Sequence, residues 1–421
     1  MGPPSLWLYR AAMSVSLPLL APYLLAADRR RGKKRPPLAQ RLGRDLPPIP
    51  PGGVWVQAVS VGEVTVARPL LAELRRRHPA LPIVLSATTA TGLAMASGDQ
   101  VADVALPFPV DLPGPMRRLM DAARPKLVVL VETELWPELL HACGLRGIPV
   151  ALVNARVSDK SFRGYRAVAG LLRPLLAPIT VVLAQDSQSA SRLAAMGVPA
   201  ERIRTVGNVK FDARPPGAAP RVVDDIRRLA GGRPVLVAGS TMPGEDERVL
   251  DAVLALPPGE RPFLLLAPRH PERAAQVITL ASGRGFSVVR RTLLADAPAG
   301  CGAVVLDTVG ELAGLYQIAD VAFVGGSLVP TGGHNPIEPA RFGVPVLTGP
   351  HVRNFAAVYR SFVDAGAVRI VHSEKELAAA VAALLADRPA ARAAGEAGRK
   401  LLAENAGATA RIADALEVFL S

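Results

Sequence analysis

The chain alternates short, continuously apolar runs with longer stretches of helical character. In the first half the runs are 54–59 (VWVQAV), 82–87 (PIVLSA), 126–131 (KLVVLV), 148–153 (IPVALV) and 180–184 (TVVLA). The second half resumes with 234–239 (PVLVAG), 262–267 (PFLLLA), 302–306 (GAVVL), 319–325 (ADVAFVG) and 344–348 (VPVLT). Runs that are apolar throughout belong to strands buried on both faces, and their alternation with helices predicts parallel sheets covered on both sides. A Pro- and Gly-rich stretch at 213–220 (ARPPGAAP) separates the two sets and reads as a linker. The expected organisation is α/β, with two doubly wound domains over 36–212 and 221–421 facing a central cleft, preceded by a distinct segment over 1–35.

Composition narrows this picture. A length of 421 residues suits such domains, and half hydrophobic with a fifth charged excludes a disordered or fibrous chain. The formal charge is +13. It is concentrated: residues 28–44 carry Arg29, Arg30, Arg31, Lys33, Lys34, Arg35, Arg41 and Arg44 against Asp28 alone. Aromatic residues make up only 4%, too few to interleave with these cations as stacking platforms, so nucleic acid is not the expected partner. An anionic membrane surface is. Cys143 and Cys301 are the only cysteines, which makes neither a disulfide framework nor a zinc cluster.

Residues 11–27 (AAMSVSLPLLAPYLLAA) hold no charge. Spanning a bilayer takes about 20 apolar residues, and Pro18 and Pro22 weaken a helix, so the segment either crosses the membrane or lies on it. The dense positive charge follows the apolar run, the reverse of a cleaved signal peptide, and keeps the bulk of the chain on the cytoplasmic side. The alternative is a helix packed on the soluble body. As a tether, residues 1–27 are expected to be separable from the chemistry.

In open parallel sheets ligands bind beyond the carboxyl ends of the strands, and there the polar residues cluster. Ser60-Val61-Gly62-Glu63 follows the first run, placing Glu63 in the first turn of a helix, where the dipole also favours a carboxylate. Glu132-Thr133-Glu134-Leu135-Trp136-Pro137 follows 126–131 and sets two carboxylates at i and i+2, which need partners if buried. Gly207-Asn208-Val209-Lys210-Phe211-Asp212 closes the first half. In the second half Pro268-Arg269-His270-Pro271 presents a guanidinium suited to phosphate or carboxylate. Asp307-Thr308-Val309-Gly310-Glu311-Leu312 follows another strand. In GGSLVPTGGHNPIEP (325–339) a flexible glycine loop leads to Asn335 as a helix cap, Pro336 at the first position and Glu338 as in a capping box, an arrangement suited to an anion.

These segments, in this order, resemble the 3-deoxy-D-manno-octulosonic acid (Kdo) transferases of lipopolysaccharide synthesis. The matching pieces are SVGE (60–63), TTATG (88–92), ETELWPE (132–138), NARVSDKSFRGY (154–165), GNVKFD (207–212), AGST (238–241), APRHPER (267–273), DTVGEL (307–312) and GGSLVPTGGHNPIEPA (325–340). The segment 185–188 (QDSQ) departs from the family pattern. The resemblance implies a GT-B glycosyltransferase with two Rossmann-like domains and an amino-terminal apolar anchor at the inner membrane. It implies transfer of Kdo from CMP-Kdo to the 6′-hydroxyl of a tetraacylated lipid A precursor, with inversion. Carried over residue by residue, it makes Glu63 the general base and assigns Glu132 and Lys210 to the transition state. It gives CMP to Pro268, Arg269, Val309, Gly310, Glu311, Asn335, Pro336, Ile337 and Glu338. No Asp-x-Asp signature is present, so neither metal nor cofactor is expected. Rival readings are a UDP-sugar transferase or epimerase of the same fold, separated by nucleotide choice, and a catalytically silent lipid-binding protein, separated by a turnover assay.

Overall fold

The computed structural model describes residues 2–16, 38–98, 101–212 and 219–420. The chain forms two compact units, Met1–Ala213 together with Asn405–Ser421, and Arg214–Glu404. The first holds a parallel sheet of β1 (Val54–Ala58), β2 (Ile83–Ala87), β3 (Val104–Pro107), β4 (Leu127–Val131), β5 (Val150–Ala155), β6 (Ile179–Ala184) and β7 (Ile203–Thr205), in the order β3-β2-β1-β4-β5-β6-β7. The second holds β8 (Val235–Thr241), β9 (Phe263–Pro268), β10 (Val288–Arg290), β11 (Ala303–Val305), β12 (Val321–Val324), β13 (Val346–Thr348) and β14 (Val368–Ile370), in the order β10-β11-β9-β8-β12-β13-β14. The strand order switches direction between β1 and β4 and between β8 and β12, with a further inversion in the second sheet, where β11 lies between β9 and the edge strand β10. The first two are the switch points at which open α/β sheets place their ligands.

All ten expected strands are present. The four that the hydrophobic pattern did not predict, β3, β7, β10 and β14, are the four sheet edges. Edge strands are short and tolerate charge because one side faces no neighbour, and three of these read IRT, VVR and VRI. The central strands β1 and β4 are buried along their whole length. Apolar side chains fill both faces of each sheet, and both cysteines lie buried among them.

The carboxyl-terminal boundary differs from the expected one. The helix Ala408–Glu417 packs on the first sheet beside the helix Val61–Arg77, with Ala408, Ile412, Ala413 and Leu416 fully buried. Asp212 accepts from the amides of Gly407 (2.7 Å) and Thr409 (2.6 Å), and Arg411 donates to the carbonyl of Val206 (2.8 Å). A domain over 221–421 is therefore corrected to one ending at Glu404. Periodicity shows that a terminal segment is an amphipathic helix but not which sheet it covers. Of the expected linker, 213–218 lies outside the described residues, while Pro220 already begins the helix Pro220–Ala230.

At the amino terminus, residues 4–16 are helical. Leu6 is fully buried, whereas Trp7, Leu8 and Val15 are exposed. The apolar segment 11–27 leaves the described residues after 16, and Asp28 to Pro37 of the basic stretch also lie outside them. Among the described residues no helix is long and apolar enough to cross a membrane.

The placement of the terminal helix predicts its energetics. Leu416→Ala is expected to destabilise the first unit by about 2–5 kcal/mol, the range for truncating a fully buried leucine, read as a lowered urea midpoint. A midpoint unchanged from the parent chain contradicts the assignment.

Candidate active site

In the first unit the residues at the switch point converge. Glu63 stands in the first turn of Val61–Arg77, directly after β1. Its Oε2 accepts from the Val59 amide at 2.5 Å and its Oε1 from the Ser60 hydroxyl at 3.3 Å. Glu132 follows β4 in a left-handed conformation (φ 61°), uncommon for a residue with a side chain. Its amide still bonds the Val153 carbonyl at 2.9 Å. The Glu132 carboxylate meets the Lys210 ammonium at 3.3 Å and the Arg156 guanidinium at 3.7 Å. Burial pushes the Glu63 carboxyl up to about 7; the Val59 N–H opposes this, and the neighbouring Glu132 charge adds to it. Glu134 rises further, to about 8, again through burial and then through the charges of Glu63 and Glu132.

Lys210 sits on the single turn Val209–Phe211, held by a buried amide relay. Asn154, fully buried and left-handed (φ 50°), accepts from the Val209 amide at 3.0 Å. Gln185 donates to the Asn154 carbonyl at 2.9 Å and accepts from Asn208 at 3.1 Å. Asn208 in turn accepts from the Lys210 amide at 3.0 Å. The departure at 185–188 is accommodated here: Gln185 completes the relay, and Asp186 caps the helix Ser187–Ala195.

In the second unit the polar loops again follow the central strands. Pro268, at the end of β9, is buried, and the exposed Arg269 bonds the Thr241 carbonyl through its amide at 2.9 Å. After β12 the glycine loop is tightly bonded. Glu245, fully buried, accepts from the amides of Met242 (2.9 Å), Gly326 (2.6 Å), Ser327 (2.8 Å) and Leu328 (2.8 Å). The first nest of amides in this loop therefore already holds an anion, an internal one. Gly326 is left-handed (φ 69°), and a Cβ there would meet the His334 ring at 2.6 Å. His334 is half-buried, its Nε2 has no partner among the described residues, and its carbonyl accepts from Tyr359 at 2.9 Å. Burial, then the charges of Arg269 and His270, push the imidazole down to about 4, so it is neutral near pH 7.

Two expectations about this loop change. It is not a flexible one, because Gly333 and His334 bond back to Gly326 and Gly325 at 2.6 and 3.2 Å. The helix after it is a single turn, Ile337–Ala340, with Pro336 rather than Asn335 at the cap position. Asn335 accepts from the Ile337 amide (3.1 Å) and donates to Glu338 (3.2 Å), so a local turn replaces the expected capping box. One turn carries little dipole, which leaves attraction of an anion mainly to Arg269. In the third loop Gly310 is left-handed (φ 88°) and Val309 is 85% exposed, while the Glu311 carboxylate is engaged by Arg291 (2.5 Å) and Thr308. A ligand at Val309–Glu311 would meet mainly backbone.

The structure thus brings Glu63, Glu132 and Lys210 together, and sets Arg269 where its charge acts on His334 and on Glu338. The resemblance assigned no role to Arg156, Glu134 or His334. All three lie in segments that the sequence already marked, but their roles depend on burial and neighbours.

A family model for 3-deoxy-D-manno-octulosonic-acid transferase (kdotransferase) matches residues 29–213, and one for glycosyl transferases group 1 matches 304–401. The chain is 37% identical to the 3-deoxy-D-manno-octulosonic acid transferase of Haemophilus influenzae, covering 98% of both. It is 36% identical to that of Bordetella pertussis, covering 98% of this chain and 99% of the other. A putative UDP-N-acetylglucosamine 2-epimerase from Listeria monocytogenes shares the fold at 14% identity, with a TM-score of 0.55 over 88% of this chain and 97% of that one.

The crowding of carboxyls fixes the sign of a pH effect. Glu134 titrates near 8 when folded and near about 4.3 when unfolded, so between those values the folded chain binds the extra proton and its stability falls as pH rises. Glu134→Gln is expected to raise the melting temperature at pH 8.5 and to leave it nearly unchanged at pH 5. A variant less stable than the parent at pH 8.5 contradicts this.

Proposed function

The chain belongs to the 3-deoxy-D-manno-octulosonic acid transferase family, and from that premise we propose that this glycosyltransferase carries Kdo from CMP-Kdo to the 6′-hydroxyl of a tetraacylated lipid A precursor in lipopolysaccharide synthesis. The observation that carries the reading is the first unit's switch point. There a half-buried carboxyl poised near neutrality, Glu63, stands beside a Glu132–Lys210 ion pair.

A sugar hydroxyl is a poor nucleophile, and a positioned base that takes its proton in the transition state gains about 10²–10⁴-fold. In the proposed step the acceptor oxygen attacks the anomeric carbon of Kdo while Glu63 takes the hydroxyl proton. The bond from that carbon to the CMP phosphate oxygen breaks, and the electron pair leaves with CMP. Attack opposite the leaving group inverts the centre. Lys210, held against Glu132, offers positive charge to the Kdo carboxylate or the developing anion. The nucleotide is held by Pro268 and Arg269, by the backbone of Val309–Glu311 and by Asn335–Glu338, with Arg269 stabilising the departing phosphate without a metal. The exposed Trp7, Leu8 and Val15, followed in sequence by the cations of 29–35, favour seating on the cytoplasmic face of an anionic inner membrane, at about 1 kcal/mol per basic residue.

The reading is tested by incubating the protein with CMP-Kdo generated in situ and a tetraacylated lipid A precursor, then weighing the lipid. A gain of one or more Kdo units is expected, undiminished by EDTA. No gain with CMP still bound overturns the acceptor, and no CMP binding overturns the donor. Glu63→Gln is expected to lose at least ~10²-fold in kcat with unchanged CMP inhibition, and near-normal turnover would remove Glu63 as base. Because the base must be ionised, kcat/KM should fall about tenfold per pH unit below about 7. A profile flat down to pH 5 contradicts the assignment.

A further inference from the structure

The amino-terminal helix touches the active-site loop's support directly. Tyr9 donates to Asp111 Oδ2 at 2.8 Å. Arg10 makes a bidentate bond to Glu138, Nε to Oε2 at 2.7 Å and Nη2 to Oε1 at 2.8 Å, with the Glu138 side chain only 5% exposed. Asp111, itself buried, accepts from the amides of Glu138 (3.0 Å) and Leu139 (2.9 Å). Those amides open the helix Pro137–Arg146, whose own cap residue, Trp136, supplies no side-chain bond. The first turn of this helix is thus capped from a distance by Asp111 and clamped from outside by Arg10. Leu6, in the same amino-terminal helix as Tyr9 and Arg10, is fully buried.

That turn is one anchor of the segment Glu132–Trp136, and the end of β4 is the other. Within the segment the Trp136 ring packs tilted against Phe108, with ring centroids 4.5 Å apart. Glu132 is held left-handed, and Glu134 lies within electrostatic reach of Glu63. A shift of the helix start therefore moves the carboxylates of the site. Displacements of about 1 Å at a reacting centre can cost 10²-fold in rate.

We propose that Tyr9 and Arg10 are positioning residues for the transfer reaction, the amino-terminal helix clamping the start of Pro137–Arg146 and so fixing the Glu132–Glu134 loop. This rests on the reading of that loop as part of the reacting end. It departs from the expectation that residues 1–27 are a tether separable from chemistry, and the two are told apart by the test below. Removing Arg10 would leave Glu138 buried without its counter-charge, and removing Tyr9 would strip one donor from Asp111.

The test compares full-length Arg10→Met, Tyr9→Phe and Arg10→Lys with the parent, on acceptor dispersed in detergent so that membrane recruitment is not measured. Amide hydrogen exchange at Glu138 and Leu139 should quicken in Arg10→Met and Tyr9→Phe. In Arg10→Met, kcat should fall about 10–100-fold with KM for CMP-Kdo within about twofold of the parent, and Tyr9→Phe should lose less. Arg10→Lys, keeping the charge but not the bidentate fork, should recover part of the rate. Unchanged exchange at the two amides overturns the clamp. Quickened exchange with unchanged kcat overturns its role in positioning. Loss of kcat, donor KM and melting temperature together would make the contact merely structural, which also overturns the proposal. If the parent itself transfers no Kdo, the proposed function fails, and the exchange measurement still decides whether the clamp exists.

Discussion

Three glutamates at the carboxyl edge of the first sheet feel one another's charge in a half-buried place, and much of the surrounding structure answers that repulsion. Glu132 is neutralised by Lys210 and Arg156. Among the described residues Glu63 keeps two hydrogen-bond donors, the backbone N–H of Val59 and the hydroxyl of Ser60. Glu134 is driven upward in pKa by burial and then by the charges of the other two. Environment thus sets two chemically identical groups apart from ordinary carboxyls, Glu63 poised near neutrality and Glu134 held protonated at pH 7. Separating the proton affinities of like groups is a common way for a site to assign acid and base roles. Here the separation depends on where Lys210 stands, and the Asn154–Gln185–Asn208 relay holds it there.

The second unit solves a different problem with the same topology. A loop rich in glycine at a strand's carboxyl end gathers several inward amides, and such a nest attracts an anion. Glu245 fills the nest from within, fixing the loop's shape before any ligand arrives. What remains for the proposed nucleotide is a rim bearing Arg269, the neutral His334 and exposed backbone at Val309 and Gly310. A preordered rim of this kind needs no reorganisation when charge develops on a leaving group.

Much of this was legible in the sequence, for physical reasons that also mark where legibility ends. Central strands such as LVVLV must be apolar along their length, so they announce themselves; the edge strands IRT and VRI need not be, and they did not. Glu63 and Glu132 were marked because each follows an apolar strand, where a buried carboxylate requires a partner, whereas Lys210 and the roles of all three came from the resemblance. Their mutual arrangement was not readable, because it depends on the left-handed turn at Glu132 and on the amides of Asn154 and Asn208, all set by tertiary contacts. The single turn at Ile337–Ala340 shows the converse. Asn-Pro-x-Glu carries helix-start chemistry, and packing allowed only one turn of it. The terminal helix was legible as a helix but not as part of the first unit, since what pins it, Asp212 on the amides of Gly407 and Thr409, spans 195 residues or more of sequence.

The central claim is that Glu63 is held near neutrality by its surroundings and is therefore able to accept a proton at working pH. Isotope-edited infrared titration of the glutamate carboxyls tests it without a substrate. The account predicts a protonated-carboxyl band that is lost with a midpoint near 7 and is missing from Glu63→Gln. If the band assigned by that substitution instead titrates in the ordinary range near about 4.3, Glu63 is a solvated surface carboxylate and the account of the site is wrong.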